Sequence, residues 1–358
     1  MLENKRITFF IGTLTHGGAE RVISILSRNM IERGFSVQIL LLFDREIFYE
    51  IDPAVCVTVV EKESGSKNLL RNLLWVRHYF KENSDIVISF LAQFNMFALV
   101  AHAGLKSKIV VADRNDPRYM PKKRYLRVLR NGLYKFADGI VVQTSRNMNY
   151  FSKAVQKKGV VISNPVHLGE LAGWAIGTAK RREIVSVGRL MPQKNQVMLL
   201  EAFAQIGNEF PDYALIIYGE GPERSKLERK AVELGIGERV FLPGSVKDVH
   251  ERILGSALFV LTSNYEGMPN ALIEAMCLGL PCISTDVSGA SDLITSGKNG
   301  EIVDVGDTQE LAARMRMLLA NDDVRNKFAA SAVKLNETLN VQGIVRQWIQ
   351  YLDSVCRR

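Results

Sequence analysis

The sequence predicts an α/β protein built as two doubly wound parallel sheets, and three observations lead there. Its 358 residues are enough for two domains. Apolar runs of strand length alternate with longer segments of helical period along nearly the whole chain. That alternation pauses once, near Ser163-Asn164-Pro165 and the polar stretch Gly169 to Arg182, and then starts again.

The first series opens with RITFFIG (Arg6–Gly12) and a helical pattern through Arg33. FSVQILL, VCVTVV, DIVISF, KIVVAD and GIVVQT follow, with helical patterns at every link except that between FSVQILL and VCVTVV. The second series runs EIVSVG, YALIIYG, RVFLPG, LFVLTS, PCISTD and GEIVDV. We therefore expect domains at 1–165 and 166–340. The apolar positions Ile344, Val345, Trp348, Ile349 and Leu352 of a final helix within 341–358 should pack back onto the first domain. Parallel sheets bind ligands beyond the carboxyl ends of their strands, which points to the cleft between two such domains.

Composition narrows the classes. Hydrophobic residues make up 47% and charged residues 23%, excluding disordered and collagen-like chains. Four scattered cysteines without a CxxC pair exclude a disulfide scaffold and a zinc or redox motif, and they fit a reducing cytoplasm. The apolar stretch Ile7 to Leu14 has no small-residue cleavage site after it, so no signal peptide is expected. The uncharged stretch Ile86 to Leu105 has the length of a membrane span, but Gln93 and Asn95 divide it into a buried strand and a helix.

Charge is unevenly divided. Residues 1–170 hold 25 Lys and Arg against 15 Asp and Glu, whereas 171–358 hold 21 against 23. Such a first half suits an anionic partner. Lys122, Lys123, Arg124, Arg127 and Arg130 interleave with Leu126, Leu129 and Leu133 to predict an amphipathic helix with a basic face. Lys67 to Lys81 is a second basic helix. An anionic membrane surface fits both, and no nucleic-acid motif accompanies them.

Two clusters carry chemistry. Gly267, Met268, Pro269, Asn270 and Ala271 form a strand-to-helix turn after LFVLTS, suited to phosphate or sugar oxygens, with Glu266 before it and Glu274 inside the helix. A capped helix start with a solvated Glu274 is the plainer alternative. Gly188 to Asn195 ends the first strand of the second series and carries Arg189 and Lys194, two cations suited to a diphosphate. Gly17 and Gly18 offer a weaker phosphate-approach geometry. G-x-G-x-x-G is absent there, which argues against a dehydrogenase.

Together these segments resemble the family 4 (GT4) retaining glycosyltransferases of the GT-B fold, two Rossmann-like domains facing across a cleft. The similarity rests on GRL-x-x-x-K-N at 188–195 and E-G-x-x-x-x-x-x-E at 266–274. It extends to YGEGPE (Tyr218–Glu223), FLPGSVKDV (Phe241–Val249), GLPCISTD (Gly279–Asp286), GKNGEIVDVGD (Gly297–Asp307) and, in the first domain, THGGAER (Thr15–Arg21).

The resemblance implies transfer of a sugar from a nucleotide donor, a UDP-hexose or UDP-N-acetylhexosamine, to a saccharide or polyprenyl-pyrophosphate-linked acceptor in cell-surface polysaccharide or glycolipid synthesis. Arg189 and Lys194 would hold the diphosphate, Glu274 the ribose and Glu266 the transferred sugar. Gly267, Met268, Pro269, Asn270, Ala271 and Leu272 would line the donor site with Gly17 and Gly18, and Gly219, Glu220 and Val246 would surround the nucleoside.

Many relatives place a histidine where this chain reads Asp113-Arg114-Asn115, so those three residues and His16 are the acceptor-side candidates. No D-x-D occurs, so no cofactor and no metal are expected. The alternatives are a GT-B UDP-sugar epimerase, which would draw on Asp113 and Asp116, and a non-catalytic membrane-binding module.

Overall fold

Thirteen strands form two all-parallel sheets in the computed structural model, which describes residues 5–15, 17–166, 168, 171–175 and 181–358. The first sheet comprises β1 (Arg6–Ile11), β2 (Ser36–Leu41), β3 (Cys56–Val59), β4 (Ile86–Phe90), β5 (Lys108–Asp113), β6 (Gly139–Val142) and β7 (Gly159–Val161), in the order β3-β2-β1-β4-β5-β6-β7. The second comprises β8 (Arg181–Val187), β9 (Ala214–Tyr218), β10 (Val240–Gly244), β11 (Ser256–Leu261), β12 (Cys282–Thr285) and β13 (Glu301–Val303), in the order β10-β9-β8-β11-β12-β13. Both orders reverse direction after the first strand, so each sheet has a switch point, between β1 and β4 and between β8 and β11.

The central strands are buried on both faces, as parallel strands flanked by helices must be. Every residue of β4 and β11 is buried. Phe10, Phe80, Val87 and Val111 lie in the core of the first unit, and Phe203, Ile217, Leu258 and Met315 in that of the second.

The two units span 1–165 with 339–358, and 166–338. The final helix (Val341–Arg357) belongs to the first. Trp348, fully buried, stacks on Phe90 at 6.0 Å between ring centroids. The Tyr351 hydroxyl accepts the Ile140 N–H at 2.9 Å and donates to the Lys158 carbonyl at 2.5 Å.

The Ile86-to-Leu105 stretch is divided as the sequence indicates, into β4 and a helix over Ala92–His102. Among the described residues no helix is long and apolar enough to cross a membrane.

The basic helix forms over Arg124–Leu133, but its faces correct the sequence reading. Arg130 is fully buried, and Val128 and Leu129 are exposed. Arg130 donates to the carbonyls of Met120 and Pro117 and packs against the rings of Tyr150 and Phe151. The buried carboxylate of Asp113, 3.8 Å away, accounts for the inward turn, because a charge in that position needs a counter-charge.

Candidate functional site

At the switch point of the second sheet, the loops after β8 and β11 are joined by hydrogen bonds. The Asn264 N–H donates to the Gln193 carbonyl at 2.8 Å, Gln193 Nε2 to the Tyr265 carbonyl at 2.9 Å, and the Thr262 hydroxyl to the Lys194 carbonyl at 3.0 Å. Asn195 adopts a left-handed φ of 47° to enter the following helix. Asparagine tolerates that conformation better than most residues.

These bonds bring the two motifs into contact. Lys194 Nζ donates to Glu266 Oε1 at 2.6 Å, and the Ser263 hydroxyl donates to the same oxygen at 2.7 Å. Both partners are largely buried, with 17% and 10% of their side-chain surfaces exposed. Arg189 lies on the same loop and is exposed.

The turn 267–269 is buried and leads into a helix over Asn270–Leu278, whose amino end, the positive end of its dipole, lies at the carboxyl edge of the sheet. Asn270 and Ala271 are partly exposed there. The Leu272 side chain, by contrast, is fully buried in the core, and its N–H goes to the Pro269 carbonyl.

One turn further along, Glu274 Oε2 accepts from His250 Nε2 at 2.9 Å. This contact replaces the solvated Glu274 of the plainer alternative.

The loop after β9 forms a third wall. Gly219 has φ 138°, and a Cβ there would stand 2.0 Å from the Gly188 carbonyl oxygen, so only glycine allows the two loops this approach. The Leu190 N–H donates to the Glu220 carbonyl at 2.9 Å. The Glu220 side chain turns instead to Arg224 at 2.7 Å, whose hydrogen bonds hold its carboxyl below the ordinary value. Val246 is half-buried in the loop after β10.

In the first unit, Gly17 caps the helix Gly18–Ile31 and its carbonyl accepts the Tyr49 hydroxyl at 3.0 Å. His16 lies outside the described residues. Leu91, directly after β4 at the switch point, has φ 71°. With Asn195 it makes the pair of non-glycine residues with positive φ among those described, one at each switch point.

The acceptor-side candidates separate. Asp113 is 1% exposed, accepts the Tyr134 hydroxyl at 3.1 Å and faces Arg130. Burial raises its carboxyl pKa despite that cation. Arg114 is buried too, with its guanidinium bonded to Asn164 and 5.6 Å from the Phe90 ring centroid, and burial lowers its pKa to about 9. Neither side chain is presented at the surface, contrary to an acceptor-facing role, because the end of β5 is covered by polar and aromatic neighbours. Asn115 alone of the three is partly exposed. Asp116, 1% exposed, is engaged by Arg118 at 2.6 Å.

No group of three or more His, Cys, Asp and Glu placed to hold a metal ion occurs among the described residues.

Two family models match, "Glycosyltransferase Family 4" over residues 16–170 and "Glycosyl transferases group 1" over residues 176–335. The protein is a glycosyltransferase.

As a glycosyltransferase it is 28% identical to a Campylobacter jejuni enzyme named GalNAc-alpha-(1->4)-GalNAc-alpha-(1->3)-diNAcBac-PP-undecaprenol alpha-1,4-N-acetyl-D-galactosaminyltransferase, covering 98% of this chain and 99% of that one. It is 25% identical to the amylovoran biosynthesis glycosyltransferase AmsD of Erwinia amylovora, with the same coverage. The structure of Anabaena HepE in complex with UDP and glucose superposes with a TM-score of 0.82 at 20% identity, covering 98% of this chain and 100% of that chain. The fold is GT-B.

Sequence reasoning missed Ser263 and His250. Ser263 stands three residues before Glu266, close enough to be considered with the motif. His250 is separated from Glu274 by a whole strand, and nothing in the spacing joins them.

Proposed function

We propose that this glycosyltransferase moves a hexose or N-acetylhexosamine from a UDP-sugar, with retention of anomeric configuration and without a metal, to a lipid-linked saccharide in cell-surface polysaccharide or glycolipid synthesis. The observation that carries this reading is the Lys194–Glu266 pair beside exposed Arg189 and the amino end of the Asn270–Leu278 helix.

A diphosphate at that edge would meet two cations and a helix dipole, the charges that stabilise a departing nucleotide. In the proposed step the bond from C1 of the sugar to the diphosphate oxygen breaks and the acceptor oxygen bonds to C1 from the same face. The acceptor's proton passes to the departing diphosphate. Glu266, held by Lys194 and Ser263, would accept hydrogen bonds from the sugar's hydroxyls, and Glu274 from the ribose.

The Campylobacter relative's name specifies an undecaprenol-linked acceptor, which supports a lipid-linked one here. So does the first unit's surface. Tyr125, Val128, Leu129 and Phe136 are exposed among exposed Lys122, Lys123, Arg124 and Lys135. Leu69, Leu70 and Leu74 are exposed near Lys67 and Arg71. Apolar groups rimmed by cations suit an anionic bilayer, and we place the protein at the cytoplasmic face of the membrane.

The epimerase reading draws no support, since Asp113 and Asp116 are both buried and engaged by arginines. Incubation with a panel of UDP-sugars and membrane extract tests the proposal. Acceptor-dependent UDP release and a product with the donor's anomeric configuration are expected. Inversion, or UDP release indifferent to acceptor, contradicts it.

A further inference from the structure

Glu274 is the one carboxylate of the Asn270–Leu278 helix, and Leu272, Ile273, Ala275 and Met276 around it are all buried. Its side chain is 11% exposed. A carboxylate so poorly hydrated requires a partner, and one is supplied from another element. His250 belongs to a short helix (Val249–Ile253) that follows β10, and its Nε2 lies 2.9 Å from Glu274 Oε2. An ionised carboxylate only accepts, so the ring nitrogen carries the proton. The short helix is itself anchored: the Arg181 guanidinium of β8 donates to the Arg252 carbonyl, and Ile253 is buried. The contact therefore joins the loop that carries Val246 to the helix after β11.

We infer that His250 is a positioning residue that fixes the Glu274 carboxylate and thereby makes the site select ribonucleotide over deoxyribonucleotide donors. The inference rests on the reading that Glu274 takes the ribose hydroxyls. A glutamate turns about three side-chain torsions, and ordering it at the moment of binding costs affinity. Held by His250 in advance, the carboxylate is preorganised. A deoxyribose then leaves a buried carboxylate lacking one of its donors, which is the condition for strong discrimination against an analogue without a hydroxyl. Without His250 the carboxylate swings to other partners, and the missing hydroxyl matters less.

The test titrates UDP, 2′-deoxy-UDP and 3′-deoxy-UDP calorimetrically into the intact wild type, His250→Leu, His250→Gln, Glu274→Gln and the double variant His250→Leu/Glu274→Gln, with donor kinetics in parallel. His250→Leu should weaken UDP about tenfold, the size of one hydrogen bond to a charged group, while hardly changing the affinity of whichever deoxy analogue the wild type rejects. Donor KM should rise by a similar factor with kcat within about twofold. His250→Gln, whose amide nitrogen can donate from nearly the position of Nε2, should restore most of the loss. In the Glu274→Gln background the leucine should cost nothing further.

Unchanged UDP affinity in His250→Leu, equal loss for UDP and both deoxy analogues, or the same loss in the Glu274→Gln background overturns the inference. If Glu274→Gln leaves the ratio of UDP to deoxy-UDP affinities intact, the ribose reading of Glu274 fails and the inference fails with it. If Glu274→Gln abolishes that ratio and His250→Leu preserves it, only the inference fails.

Discussion

Lys194 Nζ and Glu266 Oε1 stand 2.6 Å apart, so the cation proposed for the diphosphate and the carboxylate proposed for the sugar form one unit before any donor arrives. Removing the cation strips Glu266 of its counter-charge and leaves the Ser263 hydroxyl as its bonded partner at that oxygen. Lys194→Ala should therefore lower turnover by roughly 10²–10³, as loss of a preorganised charge does, and should also lower Tm. Adding Glu266→Gln should recover much of the Tm and none of the turnover. Recovery of both would make the pair a structural device rather than part of the chemistry.

Arg189 provides the contrast. It is exposed, so Arg189→Ala should leave thermal unfolding within experimental scatter. If it neutralises the leaving diphosphate, turnover at saturating donor should still fall by about 10²-fold. A variant with full turnover removes Arg189 from the diphosphate site.

The contrast between these two cations also marks what the sequence could show. Strands such as β4 and β11 were legible because a parallel strand covered on both faces has no polar alternation to obscure it. The edge strand β7 has three residues, none buried, and carries no such signal. The Gly188–Asn195 and Glu266–Glu274 segments were legible as motifs because each lies in one short stretch. Arg130 misled for the opposite reason. Its place in a helical stripe put it on a basic face, whereas the demand that turned it inward comes from Asp113, seventeen residues earlier at the end of β5. His250 and Glu274 were unreadable as a pair for the same reason: a helix start and a helix interior on either side of β11 are joined only by the fold.

Without a D-x-D segment the charge on the diphosphate falls to Arg189, Lys194 and the helix amino end. Turnover should accordingly persist in excess EDTA after metal stripping, with added Mg²⁺ or Mn²⁺ changing the rate by less than about twofold. Activity that disappears with the chelator and returns with either ion would show that those cations do not suffice.

His102 makes stability depend on pH. It is 7% exposed, hydrogen-bonded to Ser107 at 2.9 Å, and burial lowers its pKa below the ordinary histidine value. The unfolded chain therefore takes up its proton at a higher pH than the folded one. The stability this neutral imidazole contributes is present above the unfolded value, about 6.5, and is lost as pH falls through the folded value. Tm should decline as pH is lowered below about 6.5, and His102→Gln should flatten that decline. An equal slope in both proteins would assign the decline elsewhere.

The membrane prediction follows from which basic residues the fold leaves outside. Lys122, Lys123 and Arg124 are exposed beside Tyr125, Val128 and Leu129, while Arg130 is buried against Asp113. Near an anionic surface each exposed Lys or Arg contributes about 1 kcal/mol, an attraction that salt screens over a Debye length of about 8 Å. The triple variant Lys122→Gln/Lys123→Gln/Arg124→Gln should therefore release the protein from anionic vesicles at low salt while UDP affinity is unchanged, the donor cluster being in the other unit. Val128→Ser with Phe136→Ser should weaken whatever binding survives high salt, because the apolar contribution is not screened. Arg130→Gln should act differently, lowering Tm by stranding the Asp113 carboxylate rather than changing vesicle binding of the folded protein. Equal pelleting of wild type and the triple variant at low salt would remove the membrane assignment, and release by Arg130→Gln at unchanged Tm would show that its side chain faces outward after all.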